Sequence, residues 1–137
     1  MVRRVLDTNV VVKWFFQEEG SDRAQIFLEE LERGEGRVIV PSSIFHEASN
    51  VFWTKRRLGV TEENAQRLWR ELIRLPLEVV NGFDFLPQAM TFSFHYDVSP
   101  YDAVFVVVAR NMDCDLITDD HVLWEKVQSS CAWVKLL

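Results

Sequence analysis

The chain has 137 residues, of which 48% are hydrophobic, with five Trp and ten Phe. That is enough apolar side chain to fill the core of a single domain over residues 1–137, and it excludes a disordered chain. Its 15 Lys and Arg stand against 21 Asp and Glu, a formal net charge of −6, which argues against a generic nucleic-acid coat protein, because nonspecific affinity comes from cations that neutralise phosphates.

The longest apolar run is Ala103 to Ala109, far below the roughly 20 residues that span a bilayer. The amino-terminal apolar stretch is broken by Asp7 and Lys13. These features predict a cytoplasmic protein with no membrane association and no signal peptide.

In chain order, Arg3 to Leu6 is a short β-type run ending at Asp7, and Val10 to Phe16 continues as an apolar helix. Ser21 or Asp22 caps the next helix, which carries Ala24, Phe27, Leu28 and Leu31 on one face until Gly34 and Gly36 stop it. Arg37 to Val40 reads as a buried strand closed by Pro41. Ser42 or Ser43 then caps a helix through Phe45, Ala48, Val51 and Phe52, which reaches the basic triplet Lys55-Arg56-Arg57 and ends at Gly59.

Thr61-Glu62-Glu63-Asn64 is an imperfect capping box opening a helix with Ala65, Leu68, Trp69, Leu72 and Ile73 on one side, ended by Pro76. With Arg67, Arg70 and Arg74, this pair of helices carries a basic surface, which is either a solvated helix face or a polyanion-facing one. Leu77 to Val80 is a third strand, Asn81-Gly82 a turn, and about Asp84 to His95 a helix. Ser99-Pro100 opens a nearly wholly apolar helix by an N-cap with Pro at its first position. Asp115 to Thr118 is a fourth strand, Asp119 to Val127 a helix, and Ala132 to Val134 a short last strand.

Strands that are apolar throughout and alternate with helices indicate an α/β fold: a doubly wound parallel β-sheet of about five strands with helices on both faces. In such sheets ligands bind beyond the carboxyl ends of the strands, near the switch in strand order. Asp7, Glu47, Asp102 and Asp120 each fall where a strand ends or a helix begins, and they converge on that edge if the first and fourth strands are neighbours. Carboxylates gathered without cationic partners raise one another's pKa, and a hard divalent cation relieves the repulsion, so the pattern reads as a metal site. Taken singly, Asp7 could simply cap a helix, Glu47 could pair with the basic triplet, and Asp102 could complement a helix dipole. Cys114 and Cys131 have no zinc-ligand spacing; they read as two thiols, with a disulfide open to them if their strands are neighbours.

Val5-Leu6-Asp7-Thr8-Asn9-Val10, Pro41-Ser42-Ser43-Ile44-Phe45-His46-Glu47, Ser99-Pro100-Tyr101-Asp102-Ala103 and Leu116-Ile117-Thr118-Asp119-Asp120-His121 resemble, in order and spacing, the four motifs of the PIN domain. The resemblance covers essentially the whole chain, and the size and basic helical pair resemble the VapC toxins of VapBC toxin–antitoxin modules. It implies an endoribonuclease dependent on Mg²⁺ or Mn²⁺, with Asp7, Glu47, Asp102 and Asp120 as catalytic metal ligands. Thr8, Asn9, Ser99 and Thr118 match polar positions that can orient carboxylates or bound water. Asp119 is an outer-shell acid or a helix-terminal charge. The resemblance further implies an RNA substrate, a homodimer and a cognate small antitoxin whose tail covers the site.

Among the aromatic residues, Trp14, Phe15, Phe16, Phe52, Trp53 and Trp69 are core first, with some available for a homodimer seam or an antitoxin groove. His46, His95 and His121 lack ligand spacing, with His121 the best placed to approach substrate. Two other readings stay open, a noncatalytic partner-binding module that keeps the metal site and a DNA-directed flap- or repair-type nuclease. A phosphoacceptor receiver domain and a haloacid-dehalogenase-type phosphatase fit poorly, because Thr8-Asn9 follows Asp7 where they need a further acid.

Overall fold

The structure, a computed structural model, describes residues 1–137. Strand β1 (Val2–Leu6) hands over at Asp7, whose extended backbone and carboxylate cap helix α1 (Thr8–Val11). The helix expected as far as Phe16 is shorter, because α1 tightens into a 3₁₀ turn at Val12–Trp14. The β-branched run Val10-Val11-Val12 is crowded in a helix and offers little propensity to extend it.

Helix α2 (Ser21–Glu32) starts after Gly20, which takes a left-handed φ of 87° as the N-cap, the place expected for Ser21 or Asp22. Ser21 ties the preceding loop instead, its hydroxyl accepting from the Glu18 amide and donating to the Phe16 carbonyl. Strand β2 (Gly36–Pro41) follows and includes Pro41 as its last residue.

Helix α3 (Ile44–Thr54) runs into a 3₁₀ turn at Lys55–Leu58 that Gly59 ends with a φ of 94°. Neither expected serine caps it. Ser43 is already helical and makes no capping bond, and the Ser42 hydroxyl accepts from the Gly82 amide at 3.1 Å. Thr61 caps α4 (Glu62–Arg74) as expected, accepting from the Asn64 amide at 3.1 Å.

Strand β3 (Glu78–Val80), a 3₁₀ turn (Gly82–Phe85), α5 (Leu86–Tyr96) and α6 (Pro100–Asn111) come next. Strand β4 (Asp115–Thr118), α7 (His121–Val127) and β5 (Val134–Leu136) complete the chain. β5 lies two residues later than Ala132–Val134, because Trp133 turns into the core and its indole donates to the Val106 carbonyl.

All pairings are parallel, in the order β3-β2-β1-β4-β5. β1 therefore lies between β2 and β4, the neighbour relation the convergence of acids requires. The Asp7 amide continues the ladder by donating to the Ile117 carbonyl at 3.0 Å. Val5 and Leu6 are consecutive and both fully buried, as are Ile39 and Val40. Successive strand residues face opposite sides, so both faces of the sheet are covered.

Helix α6 is buried continuously from Ala103 to Ala109 and packs against β1, β2 and β4, with α5 laid along it. No helix is long and apolar enough to cross a membrane. Although β4 and β5 are neighbours, Cys114 and Cys131 are both free thiols.

Candidate active site

Three of the four acids line one open pocket of about 660 Å³ at the carboxyl edge of the sheet: Asp7 from the end of β1, Glu47 from the first turn of α3 and Asp102 from the first turn of α6. Asp7 is 5% exposed. Its Oδ1 accepts from the Thr8 amide at 2.7 Å, and its Oδ2 accepts from the Thr118 hydroxyl at 2.8 Å. Burial raises the Asp7 pKa from an ordinary 3.8 to about 7, and the charges of Asp102 and Glu47 push the same way against those two hydrogen bonds.

Glu47 is also raised by burial, and further by Asp102. Its Oε2 accepts from the Thr8 hydroxyl at 2.5 Å, while its Oε1 is buried with no hydrogen-bond partner. Asp102 is raised by burial and then by the charge of Asp120. Its amide donates to the Ser99 hydroxyl, which caps α6.

Asp120 stands apart from the other three. It is the N-cap of α7, with Oδ1 accepting from the Leu123 amide at 3.0 Å, and it acts on the pocket through its charge on Asp102. Asp119 precedes that cap and is ion-paired with Lys13 at 3.1 Å. Asn9 ties the two strand ends together, accepting from the Asp119 amide at 3.0 Å, and fully buried Thr118 also accepts from the Asp120 amide at 3.1 Å.

Several wall residues escaped the sequence reading. Lys13, 8% exposed, bridges Glu18 and Asp119, and Glu18 also pairs with Lys55 at 3.1 Å. Burial alone would lower the Lys13 pKa, but its bonds to Glu18 and Asp119 raise it. His46 and Tyr101 line the pocket too, whereas His121 is not part of its wall. Their only sequence signal is adjacency to Glu47 and Asp102. Glu47 does not meet the basic triplet as its alternative role required, since Lys55 goes to Glu18.

No three His, Cys, Asp or Glu side chains converge closely enough to enclose a metal ion as they stand. The donor set nevertheless fits a hard cation in kind: carboxylate oxygens, mutually repelling, one of them a buried orphan aimed at no protein donor. The one Lys or Arg in the pocket wall, Lys13, is already committed to Glu18 and Asp119.

A parallel α/β sheet whose carboxyl edge gathers carboxylates at the strand-order switch defines a class of acid-lined α/β domains. Within that class, the PIN domain family model matches residues 4–128, and the chain belongs to the PIN domain family. Comparison with curated proteins gives no match.

Among solved structures, PAE2754 from Pyrobaculum aerophilum is similar at 18% identity and a TM-score of 0.72, over 98% of this chain and 83% of that one. A toxin–antitoxin complex from Klebsiella pneumoniae aligns at 16% identity and 0.65, over 96% and 94%. VapBC2 from Rickettsia felis, bound to a DNA fragment from its promoter, aligns at 13% identity and 0.64, over 99% and 98%. At these identities the likeness is one of fold.

Proposed function

We propose that residues 1–137 form a single nuclease domain, an endoribonuclease dependent on Mg²⁺ or Mn²⁺, which acts as the toxin of a toxin–antitoxin pair. The observation that carries the reading is the presence of Asp7, Glu47 and Asp102 in one pocket whose only Lys is held by other acids. Family membership supports nuclease chemistry, which in PIN domains generally uses a divalent metal. The similarity in fold to toxin–antitoxin structures supports a small antitoxin as partner, and we extend the proposal to a homodimer.

In this reading Asp7 and Asp102 would hold the principal cation, Glu47 would complete its shell, and Asp120 would serve a second or transient ion. A cation held there would supply Lewis acidity to activate water and to neutralise charge on phosphoryl oxygens. The protein's own residues do the positioning. Thr118 and the Thr8 amide fix both oxygens of Asp7, and the Thr8 hydroxyl turns Glu47 toward the pocket. The first turn of α6 carries Tyr101 and Asp102 into the wall of that pocket. Lys13, tied to Glu18 and Asp119, stays off the metal carboxylates and does not neutralise them.

The test is incubation with single-stranded and structured RNA, and with DNA of the same sequence, with and without Mg²⁺ or Mn²⁺, alongside Asp7→Asn and Asp102→Asn. Metal-dependent RNA cleavage abolished by either substitution is expected. Cleavage indifferent to both would sink the reading, and equal cleavage of DNA would move it to a DNA-directed nuclease.

A further inference from the structure

A second pocket, of about 540 Å³, adjoins the acidic one and shares His46 and Tyr101 with it. It lies between the serines after β2, the Asn81-Gly82 turn and the first turns of α5 and α6. In a chain with 21 Asp and Glu, its wall contains no Asp, Glu, Lys or Arg. It offers aromatic faces instead: Phe83 is 75% exposed and Tyr101 74%.

The backbone that carries Phe83 is anchored. Its amide donates to the Asn81 side-chain oxygen at 3.2 Å, and the neighbouring Gly82 amide donates to the Ser42 hydroxyl at 3.1 Å. The Asn81 amino group and the His46 imidazole supply polar groups in the pocket wall.

We infer that this neutral aromatic pocket binds an unpaired RNA base, the one adjoining the phosphate held at Asp7, Glu47 and Asp102. The inference rests on the RNA-cleaving reading above. A phosphate would need cations that the wall lacks. A purely apolar protein segment would leave the Asn81 amino group in the pocket wall without a partner. A base satisfies both demands, since it stacks on an aromatic ring and presents donors and acceptors along its edge. The shared His46 and Tyr101 put the pocket beside the acids along the path of a strand that crosses them, so Phe83 acts as a substrate-binding residue.

The experiment maps the cleavage position on a single-stranded RNA and then replaces each nucleotide beside it, one at a time, with an abasic residue or with 2-aminopurine. One flanking abasic position should raise KM by about tenfold with the unaltered protein, in line with the usual contribution of base stacking. The same RNA should make no difference to Phe83→Ala, whose KM is already raised, and Phe83→Tyr should restore the discrimination. 2-Aminopurine at that position should be quenched on binding the unaltered protein and not on binding Phe83→Ala.

Metal-dependent cleavage with unchanged base preference and quenching in Phe83→Ala overturns the inference alone. Absence of any RNA cleavage overturns the endoribonuclease reading and the inference with it. If Phe83→Ala instead abolishes self-association in sedimentation and leaves RNA kinetics untouched, the pocket is a protein contact and the inference fails.

Discussion

The Thr118 hydroxyl at the end of β4 donates a 2.8 Å hydrogen bond to Oδ2 of Asp7 at the end of β1, 111 residues earlier in the chain. It is the bond that sets the orientation of the most buried acid, and it also lowers that acid's pKa against the effect of burial. Thr118→Val keeps the shape and removes the donor. Mn²⁺ affinity measured by calorimetry should fall about 10- to 100-fold, the usual cost of losing a partner that orients a ligand; unchanged affinity would dismiss this role.

The raised pKa of Asp7 makes metal-free stability depend on pH in a defined direction. Between 3.8 and about 7 the folded protein holds a proton on Asp7 that the unfolded chain has released. Stability from this group is therefore complete at low pH and is lost as pH rises through that window, by on the order of 4 kcal/mol at most. Glu18, lowered by Lys55 and Lys13 against its burial, acts oppositely and costs stability only below its ordinary 4.5. Melting in EDTA should thus show a higher Tm near pH 5 than near pH 8, and Asp7→Asn should remove most of that slope. A flat profile for the unaltered protein would refute the assignment.

The 2.5 Å bond from the Thr8 hydroxyl lowers the Glu47 pKa against burial. With Thr8→Val, the acidic limb of the cleavage pH profile should move to higher pH, because Glu47 keeps its proton to higher pH. A profile superimposable on that of the unaltered protein would contradict this.

Lys13→Met removes the shared cation between Glu18 and Asp119. Glu18 keeps Lys55, and Asp119 can rehydrate, so the loss should be about 1–3 kcal/mol in urea unfolding, below the cost of stranding a fully buried charge. A stabilised variant would mean that burying the ammonium outweighs both pairs.

Much of this architecture was legible in the residues. Apolar strands alternating with helices gave the parallel sheet, and acids at strand ends and helix starts marked its carboxyl edge before any neighbour relation was known. Local chemistry misled where distant groups decided the outcome. The spacing offers Ser42 or Ser43 as the cap of α3, yet Ser43 makes no capping bond and the Ser42 hydroxyl is taken by Gly82, 40 residues away. Lys13 read as an interruption of an apolar stretch, because its partners Glu18 and Asp119 come together only when β1 and β4 pair. Asp120 was identified as an acid at the right spacing, but its service as the cap of α7 depends on where that helix starts.

The sheet order also governs when the acid pocket can exist during synthesis. A nascent chain made only as far as β3 contains β1, β2, Asp7 and Glu47, but neither Asp102 nor the β4 edge that holds Asp7 through Thr118. One edge of β1 stays bare until residues 115–118 emerge. The acid pocket is therefore incomplete until the segment carrying Asp102 and Thr118 has folded onto β1.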